Sequence, residues 1–349
     1  MKCKNIIPVL ALSLSLTGCT TLERLLLNSN PGKQAVLALR YKYTNNFGEQ
    51  CRIEDFGLSN FSDNSSDKPI LFFLYGWGGS LKEFLTEEKE EEISKLSLMK
   101  DVFDNRVILA DYPSSIGMNE IFSGLENSFL EFVEAYSQNN SGKKPKLVIA
   151  GHSLGSQLTR MFVRKYPQYF EKAGLIAGMS NGLDLGMWTG LFKKEYKKYM
   201  EKILVGTEKS LTAENYQSIE DITTGSAFMS QINTPTEPLD VEYNFYIFVN
   251  GNSLLWGEGD GIASMKSAYP IDLIYQNKFE KVHLGDKIVF KGEVTHNSVD
   301  NFEIFERILK SLKSDEPHSV EEVIVPKCSS YEERLRKKEE SLLKGISLY

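Results

Sequence analysis

The segment Gly151-His152-Ser153-Leu154-Gly155 carries the clearest chemical signal in this sequence. A serine set between glycines at this spacing fits a tight turn that lifts its hydroxyl clear of the backbone. A hydroxyl is a weak nucleophile by itself. It needs a base to take its proton and a carboxylate to hold that base in the right tautomer. The chain has four histidines, at 152, 283, 296 and 318, so the base has few candidates. His152 adjoins the serine and is expected to point elsewhere, while His318 lies in a highly charged stretch.

The elements around the motif give it context. Residues 146–150 (KLVIA) read as a strand running straight into it, and Leu154, Leu158, Met161 and Phe162 mark an amphipathic helix running out, closed by Pro167. Residues 69–75 (PILFFLY) form a continuous apolar run, the mark of a strand buried on both faces, and 106–110, 173–177, 243–249 (YNFYIFV) and 287–290 read as further strands. Two weaker strand patterns fall at 38–44 and 52–58. Ser80 and Glu83 form a capping box, Ile121, Leu125, Phe129, Phe132 and Tyr136 share one helical face, and Phe302, Phe305, Ile308 and Leu309 mark a last core helix. Strands alternating with helices predict an α/β fold built on a doubly wound, mostly parallel sheet. Residues 180–240 break the rhythm and read as an insertion.

With its strand–turn–helix setting, the serine motif resembles that of the α/β-hydrolase family, and within it the lipases and esterases. The resemblance runs from about residue 69 to 310, and is weak from 180 to 240. It implies the α/β-hydrolase type of sheet with a helical cap insertion, and an acyl-serine mechanism in which Ser153 is the nucleophile. It also implies an oxyanion hole. The glycine loop Tyr75-Gly76-Trp77-Gly78-Gly79 matches the family's loop after an early strand, with Tyr75 where lipases usually carry histidine. The matching backbone donors are the Trp77 and Leu154 amides. The family's triad runs serine, acid, histidine along the chain. His296 follows the strand at 287–290, at the carboxyl end where a base belongs, and is preferred to His283, which precedes that strand. Gly259-Asp260-Gly261-Ile262 is similar to the segment that carries the lipase acid, which makes Asp260 the expected acid and Glu258 its rival. Such a site uses no cofactor and no metal. An acyltransferase with the same triad and a non-catalytic lipoprotein of the same fold are the competing expectations.

The chain's beginning points to export. Lys2 and Lys4 precede a short apolar run, and Leu16-Thr17-Gly18-Cys19 resembles the lipobox of bacterial lipoproteins. Residues 1–18 are then a signal peptide, Cys19 the lipidation site, and 19–35 a tether. The hydrolase domain is expected over 36–313, and a charged tail over 314–349. An acylated Cys19 would hold the protein on a bacterial membrane, with outer membrane or cell surface both open. From Trp188 to Leu204, apolar residues recur at helical spacing beside five lysines, which suits either a packed cap helix or a membrane-contacting lid. The expected partners are an ester or lipid substrate and, through the anchor, a membrane. A net charge of −7 argues against nucleic acid. After processing, Cys51 and Cys328 remain, either as a disulfide or as two thiols.

Overall fold

The computed structural model describes residues 39–44, 50–55, 68–85, 94–114, 116–183, 217–234, 237–249, 268–269, 283–292, 294–316 and 319–325. In chain order its elements are β1 (Leu39–Thr44), β2 (Gln50–Asp55), β3 (Ile70–Leu74), α1 (Leu81–Leu85), α2 (Lys95–Val102), β4 (Val107–Asp111), α3 (Met118–Asn139), β5 (Leu147–His152), α4 (Leu154–Lys165) and β6 (Phe170–Ile176). There follow α5 (Gln217–Asp221), α6 (Ala227–Asn233), β7 (Glu242–Val249), β8 (His283–Gly292), α7 (Phe302–Lys313) and β9 (Val320–Val325).

All nine strands form one sheet in the order β1-β2-β4-β3-β5-β6-β7-β8-β9. The seven strands from β4 to β9 pair in parallel, and β2 pairs antiparallel with both β1 and β4. Successive side chains on a strand face opposite ways, and Phe72 and Phe73 on β3 show what lies on each side. Phe72 meets Phe129 of α3 and Phe162 of α4, with ring centroids 5.9 and 5.4 Å away. Phe73 meets Phe84 of α1 and Phe305 of α7 at 5.4 and 5.7 Å. Helices therefore cover both faces, and the expected doubly wound, mostly parallel sheet is the observed one. Parallel strands buried on both faces need apolar residues throughout, which is why β3, β5 and β7 are buried at every position.

The expected helical faces hold. Ile121, Leu125, Phe129, Phe132 and Tyr136 of α3 are buried, as are Phe302, Phe305, Ile308 and Leu309 of α7. Three helix starts are capped by their own N-cap side chains: Ser94 accepts from Ser97 N, Ser226 from Met229 N and Asn301 from Ile304 N. At α3 the N-cap is Gly117, which has no side chain to offer, and Asp221 of α5 serves instead, accepting from Met118 N at 2.8 Å. Part of the 180–240 insertion is thereby tied to the domain. Within the insertion, Leu183 N donates to Ile222 O at 2.7 Å. The expected helix from Trp188 to Leu204 and the capping role of the insertion lie outside the described residues.

One boundary needs correction. The segment 314–349, expected as a charged tail, contains β9, which pairs in parallel with β8 from Lys287–Val320 to Gly292–Val325. Its sequence, VEEVIV, mixes acids with apolar residues; among the described residues it is the edge strand, exposed at alternate positions. Among the described residues no helix is long and apolar enough to cross a membrane. The signal peptide, Cys19, the tether and Cys328 are outside the described residues; Cys51 is buried in β2.

Candidate active site

The serine motif sits where β5 turns into α4. Ser153 has φ 54° and ψ −118°, a conformation sparsely populated for any residue with a Cβ. The turn is held by its surroundings: Ser153 N donates to Ile176 O at 2.9 Å, and Ser153 O accepts from Ser156 N at 3.0 Å and from Ser156 Oγ at 2.5 Å. The two glycines are needed for closeness. A Cβ on Gly151 would lie 2.1 Å from Gly155 O, and one on Gly155 would lie 2.5 Å from Leu74 O. Strand, helix and the end of β3 meet here at backbone distance.

The base expected from the sequence is in reach. β8 ends at Gly292, and the following turn carries His296 back over Ser153, with its Nε2 2.7 Å from Ser153 Oγ. With the serine donating, His296 accepts on Nε2 and keeps its proton on Nδ1. Both residues are buried, at 6% and 5% exposure, so little water competes for this bond. His283 is the first residue of β8, at the opposite end of the strand from that turn. Asp260 and its rival Glu258 lie outside the described residues.

His152, expected to point elsewhere, packs against the site. Its ring centroid is 5.1 Å from that of His296, and its Nε2 donates to the His296 carbonyl at 2.8 Å. Sequence could not show this, because the partner is a backbone atom 144 residues away. Burial lowers the His152 pKa to about 4, helped by the neighbouring His296 and by Lys95, against the opposing effects of the His296 carbonyl and Asp300.

The glycine loop comes up beside the serine. A Cβ on Gly76 would be 3.1 Å from Ser153 Cβ. Gly79 N closes the turn on Gly76 O at 3.2 Å, and Gly78, at φ 76°, takes the position where a turn of this kind requires glycine. Gly78 N donates to Ser114 Oγ at 2.8 Å. Among the described residues the amides of Trp77 and of Leu154, the first residue of α4, have no partner. The loop's base is locked by Tyr75. Its ring stacks on Tyr112 at 4.4 Å, its hydroxyl lies 2.7 Å from Tyr112 O and 2.9 Å from Asp111 Oδ1, and the Tyr112 hydroxyl donates to Tyr75 O. The tyrosine pair thus fastens the end of β3 to the end of β4.

Further along α4, the helix is anchored by a buried ion cluster not foreseen in the sequence. Glu237 accepts from Arg160 Nε at 2.9 Å, Arg164 Nε at 2.9 Å and Tyr243 OH at 2.8 Å. Arg160 also donates to Ser180 O at 3.0 Å. In the sequence these are a glutamate in an insertion and two arginines in a helix, residue types that usually face water.

No family model matches the chain, and no curated protein matches it. Among solved structures it is similar to a thermostable carboxyl esterase from Bacillus coagulans, at 10% identity over 79% of this chain and 96% of that one, with a TM-score of 0.47. It is also similar to a lipase from Bacillus licheniformis, at 16% identity over 72% and 95%, TM-score 0.47. A carboxylesterase from Bacillus subtilis is similar at 13% identity over 80% and 92%, TM-score 0.41.

Proposed function

We propose that this chain is a serine hydrolase of carboxylic esters that works through an acyl-serine intermediate. The observation that carries the reading is the buried 2.7 Å contact between Ser153 Oγ and His296 Nε2, at a turn where Ser153 is held at φ 54°. In this reading His296 takes the serine proton as Ser153 attacks the ester carbonyl. The alkoxide that forms is met by the Trp77 and Leu154 amides, the second of them at a helix N-terminus, where negative charge is favoured. His296 then passes its proton to the leaving alcohol, and a water repeats the sequence to release the acid. Asp260, in the segment after β7, is the acid that would orient His296.

The test is labelling by a fluorophosphonate together with hydrolysis of p-nitrophenyl butyrate. Ser153→Ala is expected to lose both, His296→Ala to lose turnover, Asp260→Asn to be severely impaired, and His283→Ala to keep most activity. Labelling of Ser153→Ala at another serine would refute the assignment. The proposal extends to location. Lipidation at Cys19 would put the enzyme on a membrane, where an ester with an apolar acyl chain is the natural substrate class. Cys19→Ser should then move the protein out of the membrane fraction or leave it unprocessed, and a correctly processed, membrane-bound variant would refute the anchor.

A further inference from the structure

Two consecutive residues hold His296 at its two ends. Ser153 meets the imidazole, and His152 meets the backbone carbonyl. The loop that carries His296 also has bonds within itself: Thr295 N donates to Ser298 Oγ at 2.7 Å, Ser298 N to Thr295 O at 2.9 Å and Asp300 N to Asn297 O at 2.9 Å. Such bonds give the loop its form without fixing it over the sheet. Val294 and Val299 are buried beneath it, and Lys95 on α2 pairs with Asp300 on its far side. The His152 bond is made at the backbone of the base residue itself, and it originates beside Ser153.

We propose that His152 is a positioning residue for the base, donating Nε2–H to the His296 carbonyl so that the distance between nucleophile and base is set by two adjacent residues of one turn. The inference rests on the reading of Ser153 as nucleophile and His296 as base. The geometry supplies the rest. A carbonyl can only accept, so His152 carries its proton on Nε2, while its Nδ1 faces Gly76, where a Cβ would come within 3.0 Å. The ring is thus wedged between the glycine loop and the base loop. Burial keeps it uncharged, with a pKa lowered to about 4, in the company of His296, Lys95 and Asp300. An uncharged donor suits this place, since a cation 5 Å from His296 would oppose the imidazolium that forms there during turnover.

The test compares His152→Phe, which keeps ring bulk and removes the donor, with His152→Gln, whose amide nitrogen reaches as far as the histidine Nε2. The full-length protein is assayed for kcat and KM on p-nitrophenyl butyrate and for the rate of fluorophosphonate labelling, with His296→Ala alongside. His152→Phe is expected to lose about 10- to 100-fold in kcat and in labelling rate, with KM within about twofold, because a misplaced base costs turnover and not binding. His152→Gln should stay within about fivefold of the wild type, as the retained donor predicts. If the Phe variant does not fold, His152→Asn, neutral and too short to reach the carbonyl, must show the same loss. A Phe or Asn variant with wild-type kcat overturns the inference, as does a folded Gln variant that falls as far as they do. If His296→Ala itself keeps full activity, the base assignment fails first, and this outcome is distinct from an inactive His296→Ala beside an unimpaired His152→Phe.

Discussion

Glu237→Gln should destabilise the protein far more than its near-identical shape suggests. The wild-type cluster holds two guanidinium groups and one carboxylate, and the exposures of the Arg160, Arg164 and Glu237 side chains are 1%, 13% and 0%. At an effective dielectric constant of about 20, each close ion pair is worth about 4 kcal/mol before desolvation is subtracted. The glutamine keeps the volume but leaves two buried cations facing each other. Losing one partner of such a cluster costs about 3–5 kcal/mol, a large share of a total stability of about 5–15 kcal/mol. With a urea dependence of about 3 kcal/mol per molar, the unfolding midpoint should fall by about 1 M. Arg164→Met is the control. It leaves one cation with one anion, so it should cost clearly less than Glu237→Gln. If packing and not charge balance governed the cluster, the larger side-chain change would be the worse one, and that order would refute the reasoning. The pH dependence gives a second check. Burial pushes the Glu237 carboxyl up, but the Arg160 and Arg164 charges pull it further down, to below its ordinary value of 4.5. A group with a depressed folded pKa contributes stability above its unfolded pKa and loses it as the pH falls through the folded value. The gap between wild type and Glu237→Gln should therefore be full above about pH 4.5 and close in stronger acid.

Three further perturbations test how the site is positioned. Gly151→Ala would place a Cβ 2.1 Å from Gly155 O and 2.5 Å from Thr159 Oγ1, so α4 must move away from β5; we expect a loss of about 1–3 kcal/mol in urea unfolding and about 100-fold in labelling rate at Ser153. Tyr75→Phe keeps the ring stack but strips Tyr112 N and O of a buried hydroxyl, which should cost about 1–3 kcal/mol and lower kcat more than it raises KM, as measured on p-nitrophenyl butyrate. Asp221→Ala removes the carboxylate that serves the N-terminus of α3 and should cost about 1 kcal/mol in urea unfolding with kcat unchanged.

What could be read in the sequence follows from how local the determining contacts are. β3, β5 and β7 are buried on both faces, so their apolar runs are continuous and legible. Ser153 announces itself because the turn it occupies demands glycines two residues away on either side, and His296 because a base must follow the strand that ends over that turn. β9 was hidden by its place at the edge, where Glu321 and Glu322 are tolerated and the segment reads as charged tail. His152, Arg160 and Glu237 were hidden for another reason: each is buried by partners remote in sequence, and the residue type alone favours the surface. Tyr75 stood out in the sequence only as the first residue of a glycine loop, and the structure shows its hydroxyl engaged with Tyr112.

The outermost strand also bears on how the protein can be shortened. Read from sequence, the domain ends at residue 313, and a chain cut there would lose β9. β8 pairs with β9 over six consecutive residues, and three of these, Ile288, Val289 and Phe290, are buried. Without β9 this apolar stretch would present unpaired amides and carbonyls to solvent, the arrangement from which chains aggregate edge to edge. The acidic residues that disguise β9 as a tail are then its protection. Glu322 pairs with Lys291 at 2.7 Å and Glu321 with Arg307, so paired charges interrupt a rim on which Val320 and Ile324 are exposed. A shortened form of the protein should retain the chain to at least Val325.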